Sequence, residues 1–170
     1  MPRIVDLMGG KTVRRFMFYL SAQLTGGFLY SLVEILFRGY THVSMFWLGG
    51  LCFVCIGGIR RCFVHAVTAQ KMLLCAGVIT LFEFLCGVLV NLWLGLSVWD
   101  YSAMPCNVLG QICIPYTAAW SVLAVPAMAL DALYCRYAWS RAETPHHGIS
   151  SSDAMYASRC GMRKVTNSSM

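Results

Sequence analysis

Two glutamates lie in matching apolar phrases, Ser31-Leu32-Val33-Glu34-Ile35-Leu36 and Thr80-Leu81-Phe82-Glu83-Phe84-Leu85. An acid in the middle of a membrane helix costs roughly 2.5–3.5 kcal/mol on insertion scales, and such acids commonly mark ion, proton or substrate pathways. Glu34 stands four residues before Arg38, the favourable order for an ion pair on one helix face. A structural pair of that kind is the competing reading of Glu34. No basic residue lies within one turn of Glu83. Unless another helix supplies a partner, Glu83 is expected to be protonated, because desolvation favours the neutral carboxyl. Gln23, Gly27, Ser31, Glu34 and Arg38 recur at three- and four-residue steps and share one helix face, as do Ala76, Thr80, Glu83, Gly87 and Asn91. Glu34, Arg38, Glu83 and Asn91 are therefore the candidate intramembrane functional residues. Tyr40, His42, Trp99, Asp100, Tyr101, Asn107 and Gln111 are the candidates outside the apolar runs. His42 is of a type that titrates near neutral pH, although a histidine in such a turn more often serves only as a hydrogen-bonding group.

Other chemistry-bearing residues point nowhere specific. Cys52 and Cys55 have CxxC spacing, but redox and zinc motifs need a polar, accessible setting. Cys52, Cys55, Cys75, Cys86 and Cys135 fall in or at the end of apolar runs, where a thiol is a small hydrophobe. Cys106 and Cys113 lie in or beside the longest connecting segment, and pairing between them requires an oxidising compartment. His146-His147 alone makes a poor metal site. Gly9-Gly10-Lys11-Thr12 echoes the end of a phosphate-binding loop, but the leading glycine of that motif is replaced by Val5. A membrane enzyme using Cys113, His42 or Asp100 is the remaining chemical alternative, yet no nucleophile–base–orienter spacing supports it. No catalytic residue, cofactor or metal is expected.

The elements that hold these residues follow from composition. The chain of 170 residues has 58% hydrophobic and 12% charged residues and a mean hydropathy of +0.64. A soluble domain carries about 25% charge, so this surface must meet lipid. Spans of about 20 residues are expected near 16–36, 43–59, 72–94 and 111–134. In lipid each must be helical, because nothing else satisfies its backbone groups. In the third span, about thirteen Leu, Ile, Val and Phe residues at roughly −0.3 to −0.6 kcal/mol each outweigh one acid. Pro115 falls in the first turn of the fourth span and Pro126 in its interior, where a kink is expected. Gly49, Gly50, Gly57 and Gly58 of the second span, and the small pairs Ala22/Gly26 and Gly27/Ser31 of the first, suit close helix contact. Asp131 is expected to pair with Arg136.

The net charge of +6 is arranged as a topology signal, which argues against a nucleic-acid partner. Of 13 basic residues, 12 fall before the first span, between the second and third, or after the fourth; Arg38 alone lies on the other side. This is the positive-inside pattern and predicts that both termini are cytoplasmic. Arg14-Arg15 followed by apolar residues resembles the start of a signal peptide, but no Ala-x-Ala site follows and the run is long enough to span. The expected architecture is all-α: a four-transmembrane-helix bundle over residues 1–138, led by a short basic segment, and a mostly disordered cytoplasmic tail over 139–170.

A shift of 49 residues aligns Gly27 with Ala76, Ser31 with Thr80 and Glu34 with Glu83. Past the first outer turn a shift of 61 aligns Tyr40-Thr41 with Tyr101-Ser102, Leu48-Gly49 with Leu109-Gly110 and Leu51-Cys52 with Ile112-Cys113. The expectation is two tandem helical hairpins forming a parallel internal repeat.

Arg38-Gly39-Tyr40-Thr41-His42-Val43-Ser44-Met45, then Leu48-Gly49-Gly50, resembles the amino half of the ABC-transporter type IV membrane proteins. These are small bacterial proteins often labelled as ABC transporter permeases. Asn91-Leu92-Trp93-Leu94-Gly95 resembles their third-helix end. Val98-Trp99-Asp100-Tyr101-Ser102 and Pro105-Cys106-Asn107-Val108-Leu109-Gly110-Gln111-Ile112-Cys113 are similar to their outer loop. The resemblance covers roughly 25–135. It departs from the family pattern at Val43 and Cys106, where an aromatic residue is expected, and in the tail. It implies a multi-pass protein of the bacterial cytoplasmic (inner) membrane, of permease type, with no established substrate. A separate ATPase subunit and a homodimer are the partners such a reading calls for, besides the lipid bilayer. The alternative is a non-transport assembly or regulatory subunit, in which the buried acids are interhelical hydrogen-bonding groups.

Overall fold

The computed structural model describes residues 2–140, with side chains over 12–137 except 14. The expected tail of 139–170 therefore lies almost wholly outside the described residues. Four long helices account for most of the chain: α1 (Pro2–Arg38), α2 (Val43–Cys62), α3 (Thr68–Gly87) and α4 (Ile114–Ser140). The expected basic lead-in is instead the first part of α1, continuous with the span. Gly9–Thr12 thus sit inside a helix, not in the strand–loop–helix setting that a phosphate site needs. About 20 Å of α1 precedes Arg15 at roughly 1.5 Å per residue.

Four helical segments have the length and apolarity to cross a membrane: Arg15–Arg38, Val43–Cys62, Thr68–Trp93 and Ile114–Tyr137. Their outward faces carry large apolar side chains, among them Phe16, Phe28, Leu36, Leu73, Leu81 and Val122. Patches of this extent belong against lipid, not water. The buried interior is small and central: Met45, Leu48, Cys52 and Ile56 of α2 meet Cys75 and Ile79 of α3 and Ala124 and Met128 of α4.

The chain packs chiefly as two antiparallel hairpins, α1 on α2 and α3 on α4. The α1–α2 turn is short because Gly39 takes a left-handed φ of 79°. The Gly39 N–H donates to the carbonyl of Ile35 at 2.8 Å. Together these close the helix end in the manner of a glycine cap. His42 then caps α2: its Nδ1 accepts from the N–H of Ser44 (3.2 Å). Two glycines permit the close approach of these helices. A Cβ on Gly50 would collide with the Gln23 carbonyl oxygen, and one on Gly27 would lie 2.5 Å from that of Phe46. Gly58, expected to serve the same purpose, faces open space.

The third span departs from a regular helix at its end. Val88–Trp93 form a π-helix, with the N–H of Leu94 donating to Leu89 five residues back (3.0 Å). The segment 95–113 is folded, and it ends in a small antiparallel pair, β1 (Asn107–Val108) and β2 (Ile112–Cys113). Leu109 and Gly110 both have positive φ, 52° and 69°. Two successive residues of this kind are the backbone signature of a type I′ hairpin turn. The fourth span consequently begins at Ile114 rather than Gln111. Pro115 occupies its first turn and Pro126 its interior, as the sequence predicts.

The residues aligned by the 61-residue shift adopt different structures. Leu48-Gly49 and Leu51-Cys52 are helical, whereas Leu109-Gly110 and Ile112-Cys113 form the turn and strand.

Replacing Gly50 with valine is expected to destabilise the α1–α2 hairpin by about 1–3 kcal/mol, the usual consequence of overpacking. Gly58→Ala should stay within about 0.5 kcal/mol of the parent, as surface changes do. Thermal unfolding of the detergent-purified proteins measures both.

Candidate functional site

Among the described residues three acids are buried in the bundle: Glu34 at 5% exposure, Glu83 at 2% and Asp131 at 2%. Each is satisfied differently. Near the α1–α2 turn, Glu34 Oε1 accepts from Arg38 Nη1 (2.7 Å) and Oε2 from Thr41 Oγ1 (2.5 Å). Arg38 Nη2 also donates to Tyr40 OH (2.8 Å) and to the Val98 carbonyl (2.6 Å). Arg38 thereby links the first hairpin to the segment that follows α3. The favourable i, i+4 spacing predicts this pair; the Thr41 and Val98 contacts lie beyond what spacing reports.

At the opposite, basic end of the bundle, Asp131 of α4 accepts from two arginines of α2. Arg60 Nε donates to Oδ2 and Arg61 Nη1 to Oδ1, both at 2.7 Å. The expected partner Arg136 is exposed instead. Five residues along a helix rotate by about 140°, so Arg136 leaves the face on which Asp131 sits. Gly57 makes the observed contact feasible, since a Cβ there would collide with Asp131 Oδ1. Arg61 also lies over the Phe18 ring, with 5.5 Å to its centroid. Ser21 and Tyr134 share a further hydrogen bond between α1 and α4 at this end.

Asn91, Trp99 and Gln111 come together in a buried lock. Asn91 Nδ2 donates to the Trp99 carbonyl (3.0 Å) and to Gln111 Oε1 (2.8 Å), and its Oδ1 accepts from the N–H of Val98 (2.7 Å). Trp99 Nε1 donates to the Gln111 carbonyl (3.0 Å). The π-helix supplies Asn91 and the hairpin turn leads into Gln111, so the two irregularities of the backbone meet in one network. Asp100 and Asn107 are loop staples. Asp100 Oδ1 accepts from Ser102 Oγ (2.5 Å) and from the Ser102 N–H (2.8 Å), bonds that hold its exposed carboxyl below the usual aspartate range. Asn107 Nδ2 donates to the Ser102 and Met104 carbonyls (3.1 and 2.9 Å). His42 is a helix cap, also within 2.8 Å of Ser44 Oγ.

Glu83 has the most unusual surroundings. Tyr101 OH donates to its Oε1 (3.1 Å) and Trp120 Nε1 to its Oε2 (2.9 Å). No arginine, lysine or histidine of the described residues pairs with it. Aromatic rings enclose the donors. Tyr101 stacks on Tyr116, with centroids 4.6 Å apart, and Tyr30 of α1 packs on Trp120 at 5.9 Å. Burial beside Glu83 pushes the Tyr101 phenol well above its ordinary value and keeps it neutral. Trp120, Tyr116 and Tyr30 are absent from the sequence-derived candidates. Their only signal is a polar N–H or O–H within an apolar run, and periodicity does not pair donors across helices.

Cys106 and Cys113 are free thiols, one exposed and one buried. Cys52, Cys55, Cys75 and Cys86 are free as well. Cys135 is fully buried near the basic end of α4. No cluster of three or more His, Cys, Asp or Glu fit for a metal occurs among the described residues.

Four apolar helices with acids buried between them, and a folded loop closing one end, define a multi-pass integral membrane protein. The chain belongs to the family described as "Putative ABC-transporter type IV", whose model matches residues 14–149, a longer stretch than the motifs alone suggest. No curated protein and no solved structure matches it.

Removing Asp131 leaves the buried Arg61 and the half-buried Arg60 without a counter-charge, and Asp131→Ala is expected to cost about 3–5 kcal/mol. Asn91→Ala strands the N–H of Val98 and the amide of Gln111, a loss of about 1–3 kcal/mol. Hydrogen exchange should show that loss concentrated in residues 95–113, whereas Asp131→Ala should loosen the basic end.

Proposed function

We propose that this chain is the membrane-embedded subunit of an ABC-type transport system and takes its energy from a separate ATPase subunit. The observation that carries the reading is Glu83: a carboxyl enclosed in a lipid-spanning bundle, held by two neutral donors, in a chain of this family. Intramembrane acids without a structural ion pair are functional sites by default. The phosphate-loop echo at Gly9–Thr12 lacks its leading glycine and is helical, which supports a partner as the source of ATP hydrolysis. Four helices enclose little space, so a second copy or a second permease completes the pathway. On this reading the protein sits in a bacterial inner membrane with both termini cytoplasmic, which the distribution of basic residues supports. The chain itself is assigned no catalysis and no nucleic-acid partner.

A second reading is favoured by a different observation. Glu34, Asn91, Gln111 and Asp131 all have internal partners, as structural groups do. A membrane assembly or regulatory subunit needs nothing more.

Gentle solubilisation of native membranes, followed by capture of the full chain and mass spectrometry, separates the two. An ATP-binding subunit in stoichiometric amount supports transport, whereas capture of unrelated membrane complexes supports assembly. The Glu83→Gln variant is expected to reach parental abundance yet fail to restore growth to a deletion strain. Full restoration would reduce Glu83 to packing.

A further inference from the structure

Glu34 and Asp131 each have an arginine within 2.7 Å, whereas Glu83, equally buried, has none among the described residues. From this contrast we infer that Glu83 is a proton-exchange site that opens to the loop face of the bundle through the hydroxyl of Tyr101. The inference uses the same carboxyl as the transport reading but does not depend on transport.

The geometry accommodates both protonation states without loss of a hydrogen bond. As a carboxylate, Glu83 accepts from Tyr101 OH and from Trp120 Nε1. As an acid, Oε2 still accepts from Trp120, which is a donor only, while the new O–H at Oε1 donates to the Tyr101 oxygen. A phenol both gives and takes a proton, which an indole N–H does not, so the two partners have separate parts. Trp120 fixes one oxygen, and Tyr101 is the exchangeable contact.

Tyr101 also has the right position. It belongs to the folded segment outside the spans, is only partly buried, and its N–H is tied to the Gly110 carbonyl (2.7 Å). In the exchange step the phenol proton passes to Glu83 Oε1 while the phenol oxygen takes a proton from a hydronium ion at the loop face, which leaves as water. One O–H bond forms and one breaks at Tyr101, and the net change is a proton gained by Glu83.

The neighbours of Glu83 leave a proton as its counter-charge. Tyr30 and, beyond it, Glu34 face it from α1, Cys52 from α2, Cys86 from α3 itself, and Tyr101 with Tyr116 behind it from the loop and α4. None is cationic, and Arg38 is already held by Glu34, Tyr40 and Val98. An ionised carboxylate in an apolar interior without a cation is strongly disfavoured.

Infrared difference spectroscopy of the full chain in lipid vesicles, with pH stepped from acid to alkaline, tests this. The parent protein should show a carboxylic C=O band that is lost on the alkaline side, and Glu83→Gln should lack it. Glu34→Gln should retain it. In Tyr101→Phe the band should persist but move to higher frequency, with a slower response to an external pH step. If Glu83→Gln fails to fold, the shift in Tyr101→Phe still reports the contact. A band unchanged by both Glu83→Gln and Tyr101→Phe, or one lost only in Glu34→Gln, overturns the inference. A Glu83 band in a protein that moves no substrate would sink the transport reading and leave this one standing.

Discussion

A carboxyl group placed in hydrocarbon must acquire a cation, a proton or a full set of donors, and the bundle is organised around three answers to that requirement. Glu34 takes a cation from its own helix, Asp131 takes two from a neighbouring helix, and Glu83 takes donors from an outer segment and from α4. The two paired acids also join the halves of the molecule. At one end Arg38 reaches from the Glu34 pair to the Val98 carbonyl; at the other, Arg60 and Arg61 of α2 grip Asp131 of α4. Lipid supplies no hydrophobic drive between helices, so these polar contacts, together with close packing, do what a large apolar core does in water.

Close packing has its own precondition. Gly27 and Gly50 let the α1 and α2 backbones touch, and Gly57 lets a carboxylate come against the α2 backbone. The small interior follows from this, because side chains between the helices would push them apart. Cysteine, alanine and methionine fill much of what remains at the centre.

The loop between α3 and α4 is folded on itself through its polar groups. The Asn91–Trp99–Gln111 network fastens it to the π-helical end of the third span, and Asp100 and Asn107 brace its turns. These contacts and the Tyr101 N–H bond to the Gly110 carbonyl hold Tyr101 against Glu83. The loop residues that sequence similarity highlighted are therefore mainly the ones that aim a single phenol.

Much of the architecture was legible in the chain itself. Span number, approximate limits, the Glu34–Arg38 pair and the helix-compatible prolines all follow from local rules, since helical periodicity and span length act on neighbours in sequence. The type I′ turn escaped because leucine at a positive φ carries none of the usual Asn-Gly signal, and the π-helix because it changes register without changing composition. The partners of Asp131 lie 70 and 71 residues away and those of Glu83 lie 18 and 37 away, where spacing has no force. Glu34 meets its arginine within one helix, whereas the partners of Asp131 and Glu83 were decided by how α2, α4 and the loop pack, as where Gly57 lets Asp131 come against α2.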